Sequence, residues 1–137
     1  MSDTILEALQ VGSAGISLLT EDAQRFYWPA ISGAWQPHIG GGTPREFGPC
    51  GVVLDRNAPQ MFTHVEKYYT YFQPVVPPIE ECLLVPFFLK GEAVGTVWAI
   101  AHDEGRKFDS EDLRQLQSIG VFASSAYQSV LASRVCR

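Results

Sequence analysis

The feature that most constrains the fold is a pair of apolar segments on either side of a short turn. The segments run from Cys82 to Lys90, CLLVPFFLK, and from Ala93 to His102, AVGTVWAIAH, around Lys90-Gly91-Glu92. Two apolar runs of strand length joined by a short glycine-containing turn predict a β-hairpin.

Alternation along the second strand indicates what covers the hairpin, because successive side chains of a strand point to opposite faces. One face carries only small residues: Gly95, Val97, Ala99 and Ala101. The other carries larger and partly polar ones: Thr96, Trp98, Ile100 and His102. Neither face is typical of a solvated surface, so both should be covered. The small face suits a packed helix, and the tryptophan face suits a pocket.

The rest of the chain predicts short elements separated by loops. Expected are a helix over 3–10, a strand over 13–20, a strand over 24–35 in which Pro29 marks a bulge or an edge, and a short strand over 61–65. Two long loops are expected, HIGGGTPREFGPCG and EKYYTYFQPVVPP. Pro49 fits the first position of a short helix that runs to Asp55, where proline is tolerated.

The last element is a helix that begins at Asp109 or Ser110 and runs to about Ser133, with acidic residues in its first turn. Apolar residues form one stripe at Leu113, Leu116, Gly120, Ala123, Tyr127 and Val130, and a second at Ile119, Phe122 and Ala126. One stripe can cover the small face of the sheet. The other is available for a partner helix, which predicts a homodimer, unless both stripes pack internally.

Composition bounds the classes of function. The chain has 137 residues, 46% hydrophobic and 18% charged, with a net charge of −5, which predicts a single domain over 1–137 and no nucleic-acid partner. No run reaches the ~20 apolar residues of a membrane helix, and MSDTILEALQ does not read as a secretory signal, so a cytoplasmic protein is expected. Three cysteines and three scattered histidines favour free thiols and no metal site.

Three stretches taken together carry a family resemblance: TPREFGPCG, LLVPFFLKGEAVGTVWAIAHD and KFDSEDLRQL. With them the chain resembles a GAF domain of the type joined to bacterial sensor histidine kinases. The resemblance implies an α+β, GAF/PAS-like fold. A central antiparallel sheet of five to six strands would carry the terminal helices on one face, with loops and short helices closing a pocket on the other.

The resemblance also implies a role. Such domains bind a small ligand, dimerise through terminal helices and pass a conformational change to an output domain. We therefore expect a sensory or regulatory domain, not an enzyme, that binds an unidentified small ligand within or alongside a two-component signalling protein. No cofactor is implied. The ending SVLASRVCR favours a piece of a longer protein with a linked output domain over a stand-alone sensor.

Two other classes of function stay open. One is a small GAF-type reductase of a free oxidised metabolite such as methionine sulfoxide. The other is a ligand-free dimerisation module with a collapsed pocket.

Cys50 in TPREFGPCG decides between an enzyme and a binding module. Tetrapyrrole attachment, as in GAF photoreceptors, is disfavoured because those proteins carry a Cys-His pair and none exists here. Methionine sulfoxide reductases of the family carry a second cysteine in the loop before the hairpin and carboxylates on the strand after Val-Gly. Here that loop has no cysteine, and Trp98 and Ile100 stand at the matching strand positions.

A redox-sensing thiol is a further alternative, because a helix start behind Pro49 and a cation at Arg45 would both favour a thiolate. The favoured interpretation is structural, with Cys50 as a small apolar side chain in a stretch that closes the pocket. Phe47 would then pack inward.

The candidate ligand-binding residues are Trp35, Arg45, Cys50, Tyr71, Trp98 and His102. Arginine forms a bidentate fork for carboxylates, so Arg45 should pair with Glu80 or Glu81 or contact an anionic ligand. His102 is expected to be a structural histidine at a strand end. An aromatic pocket could be lined by Trp28, Trp35, Tyr69, Tyr71 and Trp98, although core packing is the favoured interpretation of each.

Overall fold

A computed structural model describes residues 2–20, 22–46, 48–65, 69, 79–89, 91–103 and 107–135, without the side chains of Ser2 and of residues 126–135. The elements are α1 (Ser2–Leu9), β1 (Ser13–Leu19), β2 (Arg25–Gly33), a 3-10 helix (Gln36–His38), β3 (Gly42–Pro44), α2 (Pro49–Arg56), β4 (Gln60–Thr63), β5 (Glu81–Leu89), β6 (Glu92–Ala101) and α3 (Ser110–Val135).

The strands form one antiparallel six-stranded sheet in the order β3-β2-β1-β6-β5-β4. The predicted hairpin is present: β5 and β6 pair from Glu81 opposite Ala101 to Leu89 opposite Glu92. β1 pairs with the other edge of β6, so β1 and β6 are the two central strands of the sheet. The fold class expected from the sequence is confirmed.

Each face of the sheet is covered by its own apolar cluster. Val97 and Ala99 of β6 pack with Ile5 of α1 and Leu116 of α3 in one cluster. Trp98 and Ile100 of the same strand lie in the second cluster, with α2 and the segment around the 3-10 helix. The assignment of the small face to helices, made from alternation alone, is therefore correct.

The predicted irregularity at Pro29 is a bulge. Ile16 pairs with Ala30 and Leu18 pairs with Tyr27, so that Trp28 and Pro29 together lie opposite Ser17. A bulge of this kind tolerates a residue that has no backbone N–H to donate to the ladder.

The long loop expected between His38 and Gly51 needs correction. It contains the three-residue strand β3, in which Thr43 pairs with Phe26, and the first turn of α2. The other long loop, residues 66–78, lies almost wholly outside the described residues, as does Phe47.

α3 begins with a reciprocal cap. The backbone N–H of Asp112 donates to Oδ1 of Asp109 at 2.9 Å, and the N–H of Asp109 donates to Oδ2 of Asp112 at 3.0 Å. This arrangement is a capping box with aspartate in place of the usual glutamate, and it explains why the helix starts where the sequence predicted.

Candidate functional site

A small cavity lies between the sheet and the start of α2, on the face that carries Trp98. We call it the tryptophan cavity. It is defined by nine residues: Trp28, Trp35, Thr43, Cys50, Ile79, Cys82, Leu84, Trp98 and Ile100. It holds about 30 Å³. No carboxylate, guanidinium, ammonium or imidazole group is among these nine, so the walls are apolar and uncharged.

Three indole rings form most of the wall. The ring centroids of Trp28, Trp35 and Trp98 lie 5.8 to 6.2 Å apart, with tilted or edge-to-face planes. Aromatic rings attract one another in such arrangements, so the wall is a cohesive unit. The chain has three tryptophans in all, and each of them lines this cavity.

A buried hydrogen-bond network lies beneath the wall. Nε1–H of Trp98 donates to Oγ of Ser17 at 2.9 Å, and the Cys50 thiol donates to the same oxygen at 3.4 Å. Sγ of Cys50 also lies 3.3 Å from Oγ1 of Thr96. These contacts join α2 to the two central strands β1 and β6 and hold the Trp98 ring in place.

Cys50 is 4% exposed, and its burial raises the pKa of the thiol above the ordinary value despite its hydrogen bonds with Ser17 and Thr96. Burial likewise raises the pKa of the Cys82 thiol. The idea that the helix start and Arg45 would favour a Cys50 thiolate is therefore opposed by desolvation, which acts in the other direction.

The expected partner of Arg45 was wrong. Its guanidinium binds Oδ1 of Asp55 at 2.8 Å, across the first two turns of α2, and neither Glu80 nor Glu81. Nη1–H of Arg45 also donates to the carbonyl oxygen of Gly51 at 3.4 Å. A Cβ at Gly51 would collide with the carbonyl oxygen of Arg45, so the glycine allows this loop to pack directly on α2. Arg45 is not among the residues that line the cavity.

The two glutamates have other partners. Glu80 lies 3.6 Å from Nδ1 of His64, while Glu81 accepts a hydrogen bond from the backbone N–H of Phe108 at 2.9 Å and lies 3.5 Å from Nζ of Lys107. Sequence separation concealed both pairs.

Of the candidate ligand-binding residues, Trp35, Cys50 and Trp98 come together in the tryptophan cavity. His102 lies just outside it: its Nε2 is 2.7 Å from Oγ of Ser13, and that oxygen accepts the backbone N–H of Trp35 at 2.9 Å. His102 thus supports the cavity wall from behind. Tyr71 lies outside the described residues.

Sequence reasoning missed Thr43, Ile79, Cys82 and Leu84 as lining residues. Cys82 and Leu84 could have been found, because hairpin pairing sets them opposite Ile100 and Trp98 on the same face. Thr43 carried no signal, since the strand that places it was read as loop. Its side chain is 1% exposed, and its hydroxyl has no hydrogen-bond partner among the described residues.

Strand β5 is a wall shared by the cavity and α3. Cys82 and Leu84 face the cavity, whereas Leu83, Val85 and Phe87 alternate with them and join the cluster under α3. Polar contacts at both ends of β5 also join this strand to α3 and to the segment before it. Glu81 holds the segment just before α3, and Oγ of Ser124 accepts the backbone N–H of Phe88 at 3.1 Å.

A larger open groove of about 300 Å³ lies on the opposite face of the sheet. We call it the α3 groove. It is defined by Val85, Pro86, Phe88, Gln117, Gly120, Val121, Ser124 and Ser125. Val121 of this groove and its neighbour Phe122 on α3 are 70% and 66% exposed. The groove lies along the helix, whereas the tryptophan cavity is lined by side chains of β2, β3, β5, β6 and α2 together with Trp35 and Ile79.

Helix α3 presents one apolar stripe to its own sheet. Leu116, Gly120 and Ala123 are buried there, and Leu113 and Ile119 are partly buried. Phe122, from the second predicted stripe, faces outward. The side chains of Ala126, Tyr127 and Val130 lie outside the described part of the chain.

The described residues contain no helix whose length and hydropathy suffice to cross a membrane. They also contain no group of three or more His, Cys, Asp or Glu side chains arranged to hold a metal ion.

Comparison with solved structures finds chains of the same fold. The GAF-B domain of DevS from Mycobacterium smegmatis superposes with a TM-score of 0.82 at 15% identity, covering 99% of this chain and 93% of that one. A methyl-accepting chemotaxis protein superposes with a TM-score of 0.77 at 17% identity, covering 92% and 83%.

A type II free methionine-R-sulfoxide reductase from Thermoplasma acidophilum superposes with a TM-score of 0.71 at 18% identity, covering 90% and 84%. At such identities the likeness establishes the fold and not the activity. The comparison with curated protein sequences finds no significant match.

The sequence profile of one family spans almost the whole chain. The GAF domain profile matches residues 1–128, which include every strand of the sheet and most of α3. The chain therefore belongs to the GAF domain family.

Proposed function

We propose that this GAF domain is a non-catalytic sensor that binds a small molecule in the tryptophan cavity and transmits binding to α3. The observation that carries the proposal is the position of β5, whose alternate side chains line the cavity and contact the helix. A packed strand cannot move one face without moving the other, because protein interiors are close-packed. Displacement of Cys82 or Leu84 is therefore transmitted to Leu83 and Val85.

Two polar contacts between β5 and the region of α3 strengthen this coupling. Glu81 is 3% exposed and binds the segment that leads into α3, while Ser124 binds the bulged end of β5. A shift of β5 would pull on the segment just before α3 and on the middle of the helix at Ser124.

Non-catalytic action is favoured by the state of the thiol. A cysteine attacks as its thiolate, yet burial raises the pKa of Cys50 and its proton is directed to Oγ of Ser17. The solved reductase of the same fold is a relative in fold alone, so its activity does not transfer.

The proposal includes a homodimer in which α3 helices pack together, and an output domain covalently linked in a longer protein. Support comes from the exposed Val121 and Phe122 beside the α3 groove. Exposed large apolar side chains next to a groove are typical of an association surface.

The proposal is tested by native mass spectrometry combined with hydrogen exchange. Protein stripped by unfolding and refolding would be incubated with a small-molecule extract of bacterial cells, desalted and weighed intact. We expect a discrete added mass and altered amide exchange in β5 and in the first turns of α3. Bound mass without any change in α3 would contradict the relay, and no bound mass would favour the dimerisation module. Thioredoxin-coupled turnover of methionine sulfoxide would overturn the non-catalytic assignment.

A further inference from the structure

One residue that lines the tryptophan cavity carries a polar group that the fold itself does not use, buried behind the apolar surface of the cavity. Oγ1 of Thr43 is buried, its residue lines the cavity, and it has no hydrogen-bond partner among the described residues. By contrast, the other polar side chains nearby are satisfied: Ser17, Cys50, Thr96 and Nε1 of Trp98 bond to one another. Leaving a buried hydroxyl unpaired is unfavourable, so an unused one in a cavity wall points to a bound molecule.

The remaining wall restricts what that molecule can be. No charged side chain lines the cavity within the described residues, and Arg45, the nearest candidate cation in the sequence, is engaged with Asp55. Burying an ionised group among indole rings and aliphatic chains without a partner is very unfavourable. Three indole faces and edges instead favour a flat apolar body.

We propose that the cavity takes an uncharged, flat, mainly apolar molecule with one hydrogen-bonding group, which pairs with the Thr43 hydroxyl. This inference rests on the proposed sensor function. Carboxylates, phosphates, nucleotides and zwitterionic amino acids lie outside this proposed ligand class, because no described lining residue would pair with their charge. The hydroxyl both donates and accepts, so the ligand group can be a phenolic or alcoholic oxygen, a carbonyl or a ring N–H.

The size of the cavity adds a mechanical consequence. A volume of about 30 Å³ admits only one or two molecules of the size of water, each of which needs ~10–15 Å³. A ring compound enters only when the walls separate, and the walls are the three indoles and strand β5. Binding of this class must therefore alter the packing that the relay uses, and tryptophan emission reports it directly.

The test uses three ring compounds of similar size: phenol, toluene and benzoate. Binding to the whole chain is followed by tryptophan emission excited at the red edge of the absorption band, where the probes absorb little. We expect saturable binding of phenol, roughly three- to tenfold weaker binding of toluene, and no saturation with benzoate.

Two variants assign the effect to Thr43. Thr43→Val keeps the shape and removes the hydroxyl, so phenol should bind roughly three- to tenfold more weakly while toluene is unaffected. Thr43→Ser keeps the hydroxyl and should retain the preference for phenol over toluene. Because the hydroxyl has no partner in the described protein, Thr43→Val should unfold at an unchanged or higher temperature, which controls for misfolding.

Several results would overturn the inference. They are benzoate binding as tightly as phenol, phenol binding equally to wild type and Thr43→Val, and no saturable phenol signal. The extract experiment separates the two levels of the argument. A retained charged metabolite with no phenol binding defeats this inference and keeps the sensor function, whereas no retained mass and no phenol binding defeat both.

Discussion

The Cys50 thiol lies where α2 meets β1 and β6, and its environment shows why a motif alone misleads about reactivity. From sequence, a helix start and a nearby arginine favoured a thiolate. In the fold, the Arg45 fork points to Asp55, and the thiol is enclosed beneath an indole. Desolvation outweighs the other influences on the thiol, and no sequence pattern reports desolvation directly.

The buried thiols predict a loss of stability in alkali. Burial raises the pKa of Cys50 in the folded state, so the folded protein holds this proton more tightly than the unfolded chain does. The stability linked to this proton is complete below the unfolded thiol pKa of ~8.5 and is lost as pH rises above it. Denaturant midpoints measured from about pH 7 to about pH 10 should fall more steeply for wild type than for Cys50→Ala. Parallel curves would contradict this account.

Thr43 is the residue that the sequence could not place. A three-residue strand framed by glycines and a proline has too few residues to show alternation, and its pairing with Phe26 depends on a distant strand. Trp98 and Cys50 could be located on the cavity side from the sequence, because alternation fixes the face of β6 and Pro49 fixes the start of α2; a role of either residue, or of Trp35, in ligand binding stays a prediction. The partner of Arg45 was predicted wrongly because Asp55 on the adjacent α2 lies within reach and binds it, in place of Glu80 or Glu81.

Among the elements, the hairpin was the most predictable, since a period of two over nine to ten residues allows one register and one pair of faces. The start of α3 was also predictable, because acidic residues occupy the first turn of a long apolar period. Which apolar side chains of α3 face the sheet could not be predicted, because helical periodicity does not show whether a side chain contacts its own sheet or another chain.

Gly95 in the Val-Gly-Thr segment is required by strand packing. It lies opposite Leu18 of β1, and a Cβ there would collide with the carbonyl oxygen of Ser17. Gly95→Ala should therefore force β1 and β6 apart. We expect it to lower the free energy of unfolding by about 1–3 kcal/mol, the usual range for overpacking a core. Urea unfolding followed by circular dichroism measures it. An unchanged midpoint would show that the two central strands can separate freely, against the geometry described.

At the scale of the whole molecule, fewer apolar residues of α3 are exposed for association than the two predicted stripes indicated. Ala123, a member of the first predicted stripe, is buried against its own sheet, as are Leu116 and Gly120 of the same stripe. A charge at Ala123 would therefore test folding and not assembly. Phe122 is the better position, because it is large, apolar and exposed.

We expect Phe122→Glu to convert a dimer into a monomer without lowering the unfolding temperature. The control is Ile39→Glu, which places the same charge on an exposed apolar residue in the turn after the 3-10 helix and should leave the dimer intact. Light scattering across micromolar concentrations reports the mass. Wild type that stays monomeric at ~100 µM, a threshold of about 5–6 kcal/mol, would refute the dimer, as would a dimer that persists in Phe122→Glu.

The lengths of the outer strands have a consequence for how this protein behaves at high concentration. The sheet ends in β3 and β4, with three and four residues, whereas the interior strands have seven to ten. A short edge exposes few unpaired backbone groups to a neighbouring chain, so the sheet offers little template for open-ended strand addition. At high concentration the protein should therefore resist fibre growth through its sheet edges, and the dimer proposed above does not use these edges.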